Sequence, residues 1–187
     1  MTPKIAVLGG KKLVTWQAFR IAYALGEAIA AQGYQLFTGG VSGAGEEASR
    51  GAHRYLQKMG ENPLDRITSV IPHGYEPSHP YGQTLHRGTN SKERRRELVK
   101  IADVCIVIGG GEGTRQEIDF AIEEGKPLIP IACTGGEAAR LWQKLYQSGK
   151  SPIGEQHLWE LRPEVNDPLV IKKEVLGILS LLVAKRE

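Results

Sequence analysis

The chain has 187 residues, a formal net charge of +3, 41% hydrophobic residues and 24% charged residues. This length suits one domain with a sizeable core, and so small a net charge gives no reason to expect a nucleic-acid or membrane-surface partner. We expect no signal peptide, because the apolar segment after Met1 is short, and no membrane span, because no apolar run approaches about 18 residues.

Short apolar segments alternate along the chain with segments of helical periodicity. In chain order we predict strand 5–8, helix 16–32, strand 34–38, helix 46–59, strand 66–71, helix 91–101, strand 104–108, helix 114–124, strand 128–132 and helices 137–148 and 168–185. Gly33 and Gly125 are placed to end two helices, and Asn90 and Asp167 to cap two others. Residues 73–89 and 150–166 are expected to be irregular.

This alternation predicts parallel βαβ units, and the continuously apolar strands indicate a sheet that is covered on both faces. The predicted fold class is α/β, a Rossmann-like three-layer sandwich with a mainly parallel sheet of about five strands. The chain shows no repeat or linker, so we expect a single domain over residues 1–187.

Of the two cysteines, Cys105 lies in a predicted strand and Cys133 lies at the end of another apolar run. Such residues are typical of small core side chains in a reducing compartment, so we expect a cytoplasmic protein without a disulfide. The sequence has no metal-ligand spacing, and we expect neither a metal nor a cofactor.

Glycines cluster in three places, each after a predicted strand and before a helix. Because the carboxyl ends of parallel strands lie on one edge of a sheet, these turns are expected to meet there and to bind an anionic ligand through backbone amides. For any one cluster a tight turn is the alternative, but three on one edge favour a phosphate or nucleotide site. The predicted ligand-binding residues are Arg95 and, in or beside these turns, Gly9, Gly10, Gly39, Gly40, Ser42, Gly43, Gly45, Gly110, Gly111, Gly113 and Thr114.

Glu117 has two interpretations. Residues 114–117 fit the capping-box pattern, as do residues 134–137, so this spacing alone predicts no chemistry. Beside an anion site, however, a carboxylate would repel phosphate, and it is better suited to ribose hydroxyls or to a developing ribosyl cation.

Arg94, Arg95 and Arg96 lie on one predicted helix, where successive side chains diverge by about 100°. One or two of them can face the crevice, and a solvated helix face is the alternative. Weaker candidates for a phosphate clamp are His86 and Arg87, while Lys11 and Lys12 face either phosphate or solvent.

Two further segments carry expectations. A long loop beside a ligand edge is often a lid, which is our interpretation of residues 73–89. The last helix is apolar nearly all round, so one face packs on the sheet and the other needs a partner. We therefore predict a homodimer or higher homo-oligomer through this helix.

Residues 109–117, GGGEGTRQE, resemble the PGGxGTxxE motif of the LOG proteins, which are cytokinin-activating phosphoribohydrolases. Arg94 and Arg95 resemble that family's Arg-Lys pair before an aspartate, here Asp103. The resemblance implies that Arg94 and Glu117 are catalytic. Gly109 stands in place of the motif's proline, and Arg95 in place of its lysine.

Residues 117–142 are similar to another branch of the same SLOG superfamily, the sensor domains of bacterial anti-phage systems such as Thoeris. That branch binds NAD-derived cyclic ADP-ribose signals. The resemblance therefore implies a small-molecule nucleotide as partner, with two functions open: recognition of an ADP-ribose-type signal, or hydrolysis of a nucleoside 5′-monophosphate at its N-glycosidic bond. A relative that keeps the fold and has lost both activities is the third option.

Overall fold

Six parallel strands form one sheet in the computed structural model, which describes residues 2–184. The strand order is β4-β3-β2-β1-β5-β6. The strands are β1 (Lys4–Gly9), β2 (Gln35–Thr38), β3 (Ile67–Ile71), β4 (Gln83–His86), β5 (Val104–Ile108) and β6 (Leu128–Ile131). The Rossmann-like α/β class is thus confirmed, with six strands where about five were predicted.

Helices cover both faces of the sheet. They are α1 (Trp16–Ala31), α2 (Ala44–Met59), α3 (Ser91–Ile101), α4 (Glu112–Glu123), α5 (Gly136–Ser148), α6 (Glu155–Glu160) and α7 (Pro168–Ala184). Alternate residues of β1 serve the two faces: Ile5 and Val7 pack with α1, α2 and α7, whereas Ala6 and Leu8 pack with α3 and α4. No helix within residues 2–184 combines the length and apolarity needed to cross a membrane.

The helix ends predicted from Gly33, Gly125, Asn90 and Asp167 are confirmed. Gly33 has a φ of +78°, Asn90 accepts from the amides of Lys92 and Glu93, and Asp167 accepts from the amide of Leu169 at 2.7 Å. The last helix is described to Ala184, so the predicted end at Lys185 lies outside the described residues.

Two segments expected to be irregular contain regular structure. Residues 83–86 form the edge strand β4, whose register with β3 pairs Thr68 with Gln83. Its side chains are polar or only half-buried, as is common for an edge strand, so the segment has no apolar run to reveal it. The short helix α6 lies in the expected loop 150–166 and buries only Leu158, which is too little for a periodic signal.

Helices α1 and α2 approach each other closely through glycine. A methyl group added at Gly26 would lie 1.8 Å from the carbonyl oxygen of Ala48, and one added at Gly51 would lie 2.1 Å from that of Tyr23. These contacts set the position of α2, whose first residues follow the glycine-rich turn after β2.

We therefore expect Gly26→Ala to lower the free energy of unfolding by about 1–3 kcal/mol through overpacking. Gly177→Ala, in the interior of α7, is the matched control, because an added methyl there has no neighbour within 4 Å. Since alanine favours helix by about 0.5–1 kcal/mol over glycine, the control should be stabilised. Urea unfolding measures both, and stabilisation of both variants would contradict the close approach.

Candidate functional site

The strand order reverses between β1 and β5, since β2, β3 and β4 lie on one side of β1 and β5 and β6 on the other. Ligands of open α/β sheets bind at such a switch point, outside the carboxyl ends of the strands. A cavity of about 280 Å³, here called the edge cavity, lies at this position.

The three glycine-rich turns meet in the edge cavity, as predicted. Ten of the candidate residues line it: Gly9, Gly10, Gly39, Gly45, Arg94, Arg95, Gly111, Gly113, Thr114 and Glu117. Val7, Val41 and Glu112 line it as well and were not singled out from the sequence, because two apolar residues and one surface carboxylate give no signal. Lys11, a weaker candidate, also belongs to the lining. That the candidate residues bind a ligand stays a prediction.

Four candidates lie beside the cavity and shape its turns. Gly40, Gly43 and Gly110 have positive φ angles of 61°, 93° and 101°, a region that favours glycine. A methyl at Gly43 would also lie 2.1 Å from the carbonyl oxygen of Gly10. The Ser42 hydroxyl lies 3.5 Å from the carbonyl oxygen of Lys11, to which it donates.

A buried ion pair forms the floor of the cavity. The Arg94 guanidinium, on α3, donates from Nη1 to Oε1 of Glu117, on α4, at 3.0 Å. Each side chain is only 7% exposed. Glu117 is therefore an interior residue of α4 that holds α3 in place and presents its carboxyl group to the cavity.

Burial governs the protonation of this pair. Removal from water raises the pKa of the Glu117 carboxyl, and the adjacent charge of Arg94 limits that rise. Burial also lowers the pKa of the Arg94 guanidinium, but this group does not lose its proton in proteins. The floor thus carries the fixed positive charge of Arg94 beside the Glu117 carboxyl group, and this charge limits the rise in the pKa of that carboxyl group.

The arginine run divides as the helical periodicity predicted. A methyl at Gly39 would lie 2.5 Å from Nη1 of Arg94, and one at Gly113 would lie 2.8 Å from Nη2 of Arg95. These two glycines therefore let the guanidinium groups lie against the backbone. Arg96 points away, over the ring of Phe120, and pairs at 3.0 Å with the exposed carboxylate of Glu123.

Helix α4 begins two residues earlier than predicted, and the first capping box is wrong. Gly111 is the N-cap and makes no side-chain cap, while Thr114 is the third helical residue. Helix geometry leaves the amides of Glu112, Gly113 and Thr114 without an intrahelical acceptor. We expect an anion to bind at these three amides, and their residues line the edge cavity on the side that is here called its mouth.

The second capping box is wrong as well. Gly135 is the N-cap of α5, and Thr134 instead ties the turns together: its hydroxyl donates to the carbonyl of Ile131 and accepts from the amide of Gly109 at 2.7 Å. A tertiary donor, the Gly109 amide, thus replaces the local helix amide that the pattern indicated.

The loop 73–82 lies next to the cavity without lining it. The Ser78 amide donates to the carbonyl of Gly40 at 2.8 Å, which ties this loop to the turn after β2. Further along the chain, the Arg87 guanidinium donates to the carbonyl of His86. None of residues 73–89 belongs to the cavity lining, so the lid and the phosphate clamp by His86 and Arg87 stay predictions. Within residues 2–184 no group of three or more His, Cys, Asp or Glu is arranged to hold a metal ion.

An all-parallel sheet with a charged cavity at its switch point defines a protein of the Rossmann-like α/β class. The chain belongs to the SLOG cluster4 family, whose model matches residues 2–157. An uncharacterised protein from Archaeoglobus fulgidus is 31% identical over 115 residues, which are 62% of this chain and 71% of that protein.

Solved structures share the fold over almost the whole chain. The structure of TM1055 has a TM-score of 0.74 and 26% identity, covering 96% of this chain and 99% of that one. The molybdenum cofactor carrier protein from Chlamydomonas reinhardtii has a TM-score of 0.65 and 24% identity, with coverage of 96% and 99%.

The buried ion pair generates a prediction about stability. Removing one member of a buried pair leaves an uncompensated charge, so we expect Glu117→Gln to lower the free energy of unfolding by about 3 kcal/mol. Glu123→Gln is the matched control, because it breaks a pair between the same two helices in which Glu123 is 55% exposed. The control should cost less than about 1 kcal/mol in urea unfolding. Equal losses would show that the floor pair is as solvated as the surface pair.

His79 generates a prediction about pH. It is 5% exposed, its ring stacks on Tyr81 at 5.4 Å, and within residues 2–184 neither ring nitrogen has a hydrogen-bond partner. Burial lowers the pKa of His79 below its usual value of about 6.5, against the opposing charge of Glu46. The folded state therefore favours the neutral ring, and stability is lost as the pH falls below the unfolded-state pKa.

Accordingly, the free energy of unfolding of the wild type should fall between about pH 7.5 and pH 5, and that of His79→Phe should fall less. Urea unfolding at a series of pH values compares the two slopes. Identical slopes would contradict burial of a neutral imidazole.

Proposed function

We propose that this protein binds a nucleotide-type small molecule in the edge cavity, with an NAD-derived, ADP-ribose-type signal as its specific ligand. The observation that carries the proposal is the juxtaposition of helix amides without an intrahelical acceptor and a buried Arg94–Glu117 pair in one cavity. These are complementary to the two polar parts of a nucleotide, its phosphate and its ribose.

The phosphate fits the mouth of the cavity. Three amides at the start of α4 point outward from a helix N-terminus, where the helix dipole also favours an anion. Lys11 and Arg95 line the same region and add positive charge. The Glu112 carboxylate, which is also there, is bonded to Arg115 and Gln116, so its charge is partly compensated.

The ribose fits the floor. A carboxylate accepts hydrogen bonds from vicinal hydroxyls but repels phosphate, so Glu117 favours one orientation of the ligand in the cavity. Arg94 donates a hydrogen bond to that carboxylate, and its guanidinium group lies close against the backbone of Gly39. The site therefore separates the anionic from the hydroxyl-bearing part of a nucleotide.

Family and neighbours support the same class of ligand. Membership of the SLOG cluster4 family is consistent with nucleotide binding, which the resemblance of residues 109–142 also implies. A structural neighbour of 24% identity is named for carrying the molybdenum cofactor. That likeness shows the fold alone, so the cofactor serves as a comparison ligand in the test rather than as the expected one.

Assembly belongs to the same proposal. The last helix exposes Leu169, Val170 and Leu181, while Ile171 and Val175 are buried in the core, where α7 packs against α1. We propose that α7 forms a homodimer or higher homo-oligomer, and that ligand binding shifts the assembly if it prefers one of two forms.

A second candidate function is hydrolysis of the N-glycosidic bond of a nucleoside 5′-monophosphate. The Glu117 carboxylate on the cavity floor favours it, because positive charge develops at the anomeric carbon as the bond to the base breaks. Water would then add at that carbon, with one of its protons leaving with the base. Arg94 would keep the carboxyl group in position.

Isothermal titration calorimetry with AMP, a cyclic ADP-ribose isomer and the molybdenum cofactor tests binding. We expect Arg95→Ala to weaken nucleotide binding about tenfold or more, because it removes a charged partner of phosphate worth about 1.5–3 kcal/mol. Arg96→Ala, one residue along the same helix but outside the cavity, should change the affinity less than about twofold.

Chromatography of the same mixtures separates the two functions. Binding of an ADP-ribose isomer without product supports the signal-binding function. Free adenine released by the wild type and not by Glu117→Gln would overturn it in favour of the hydrolase. Absence of binding to any of the nucleotides, or equal effects of the two arginine variants, would contradict a nucleotide site at this position.

A further inference from the structure

A second cavity, of about 270 Å³, adjoins the edge cavity on the side of β6. Its walls come from the turn after β1, with Leu13, from the glycine turn after β5, and from the turn after β6, with Thr134 and Gly136. Gly10, Lys11 and Gly111 line both cavities. The two cavities therefore lie side by side along the carboxyl edge of the sheet and share these three lining residues.

The walls of the two cavities differ in whether their backbone amides already donate hydrogen bonds within the protein. At the start of α5 the amides of Glu137 and Ala138 donate to the carbonyls of Gly110 and Gly109, at 3.1 and 3.0 Å. The first amides of α4, by contrast, have no intrahelical acceptor. Anionic oxygens therefore find donors at the α4 side and the shared residues, and not at the α5 side of the second cavity.

The side chains of the second cavity agree with this difference. The Thr134 hydroxyl is engaged with Ile131 and Gly109, so it is occupied within the fold. Leu13 adds an apolar wall and packs against the core. Only Lys11 and Lys12 are charged in this lining. The cavity therefore suits an uncharged ring or sugar whose anionic linker lies outside it, near the lysines.

We propose that the second cavity is a subsite for the second half of a two-part ligand, in which two sugar- or ring-bearing halves are joined by a pyrophosphate. The pyrophosphate lies at the shared residues, one ribose lies over Glu117, and the other half lies against Leu13. Each cavity alone falls just below the range of about 300–1,000 Å³ that is typical of small-molecule sites, and the two joined fall within it. This inference rests on the proposed nucleotide site and specifies the ligand that the site takes.

The test compares AMP, which fills one cavity, with ADP-ribose, which fills both, by calorimetry on the full chain. The wild type should bind ADP-ribose at least about tenfold more tightly than AMP. Leu13→Trp fills the second cavity and should lower the affinity for ADP-ribose to that for AMP, with AMP binding changed less than about twofold. Val41→Trp, which narrows only the edge cavity, should weaken the binding of both ligands.

The outcomes separate this inference from the proposed function. Equal affinities of the wild type for AMP and ADP-ribose would overturn the second subsite and the preference for an ADP-ribose-type ligand, while leaving a nucleotide site in the edge cavity intact. An equal loss for both ligands in Leu13→Trp would overturn the second subsite alone. Binding of neither ligand would overturn the nucleotide site itself. Val14→Trp repeats the test from an exposed residue of the same lining, in case Leu13→Trp fails to fold, and the wild-type ratio of affinities needs no variant.

Discussion

The ion pair between Arg94 and Glu117 is the interaction on which the site depends. It joins α3 to α4 beneath the carboxyl ends of the strands, at a depth where both side chains are nearly removed from water. Well-packed apolar residues would stabilise such a contact at least as well, because desolvation of two charges offsets most of their attraction. Its position on the floor of the edge cavity therefore argues for a role in ligand binding. Gly39 and Gly113 are part of the same arrangement, since larger residues would displace the two guanidinium groups.

The distribution of backbone hydrogen bonds gives the site its direction. The turn after β5 lies between the N-termini of α4 and α5, and it accepts hydrogen bonds from the first amides of α5. Its carbonyls at Gly109 and Gly110 accept from the first amides of α5, which ties that helix to the sheet. The first amides of α4 have no such acceptor and remain at the mouth of the edge cavity. One helix start is thus used for structure and the other is available to an anion.

Most of the fold, and the place where the glycine turns meet, were predictable from local patterns in the sequence. The five strands other than β4 are short and mainly buried segments with apolar residues. Caps such as Asn90 and Gly33 act through residues one to three positions away, so the signals of these strands and caps are contained in the sequence. The convergence of the glycine turns followed from the parallel sheet alone. The edge strand β4 and helix α6 could not be predicted in this way, because each buries too little apolar surface to produce a pattern.

By itself, the sequence determined the fold class, the helix ends marked by Gly33, Gly125, Asn90 and Asp167, and the edge at which the turns meet, because these follow from hydrophobic periodicity and short-range hydrogen bonds. Only the tertiary structure decided what Glu117 and Thr134 do. Both fit a local capping pattern, yet Glu117 bonds to Arg94, 23 residues away in the sequence, and Thr134 to Gly109, 25 residues away. Such partners come together only when the sheet forms, since a buried polar group takes whichever partner the packing brings within reach.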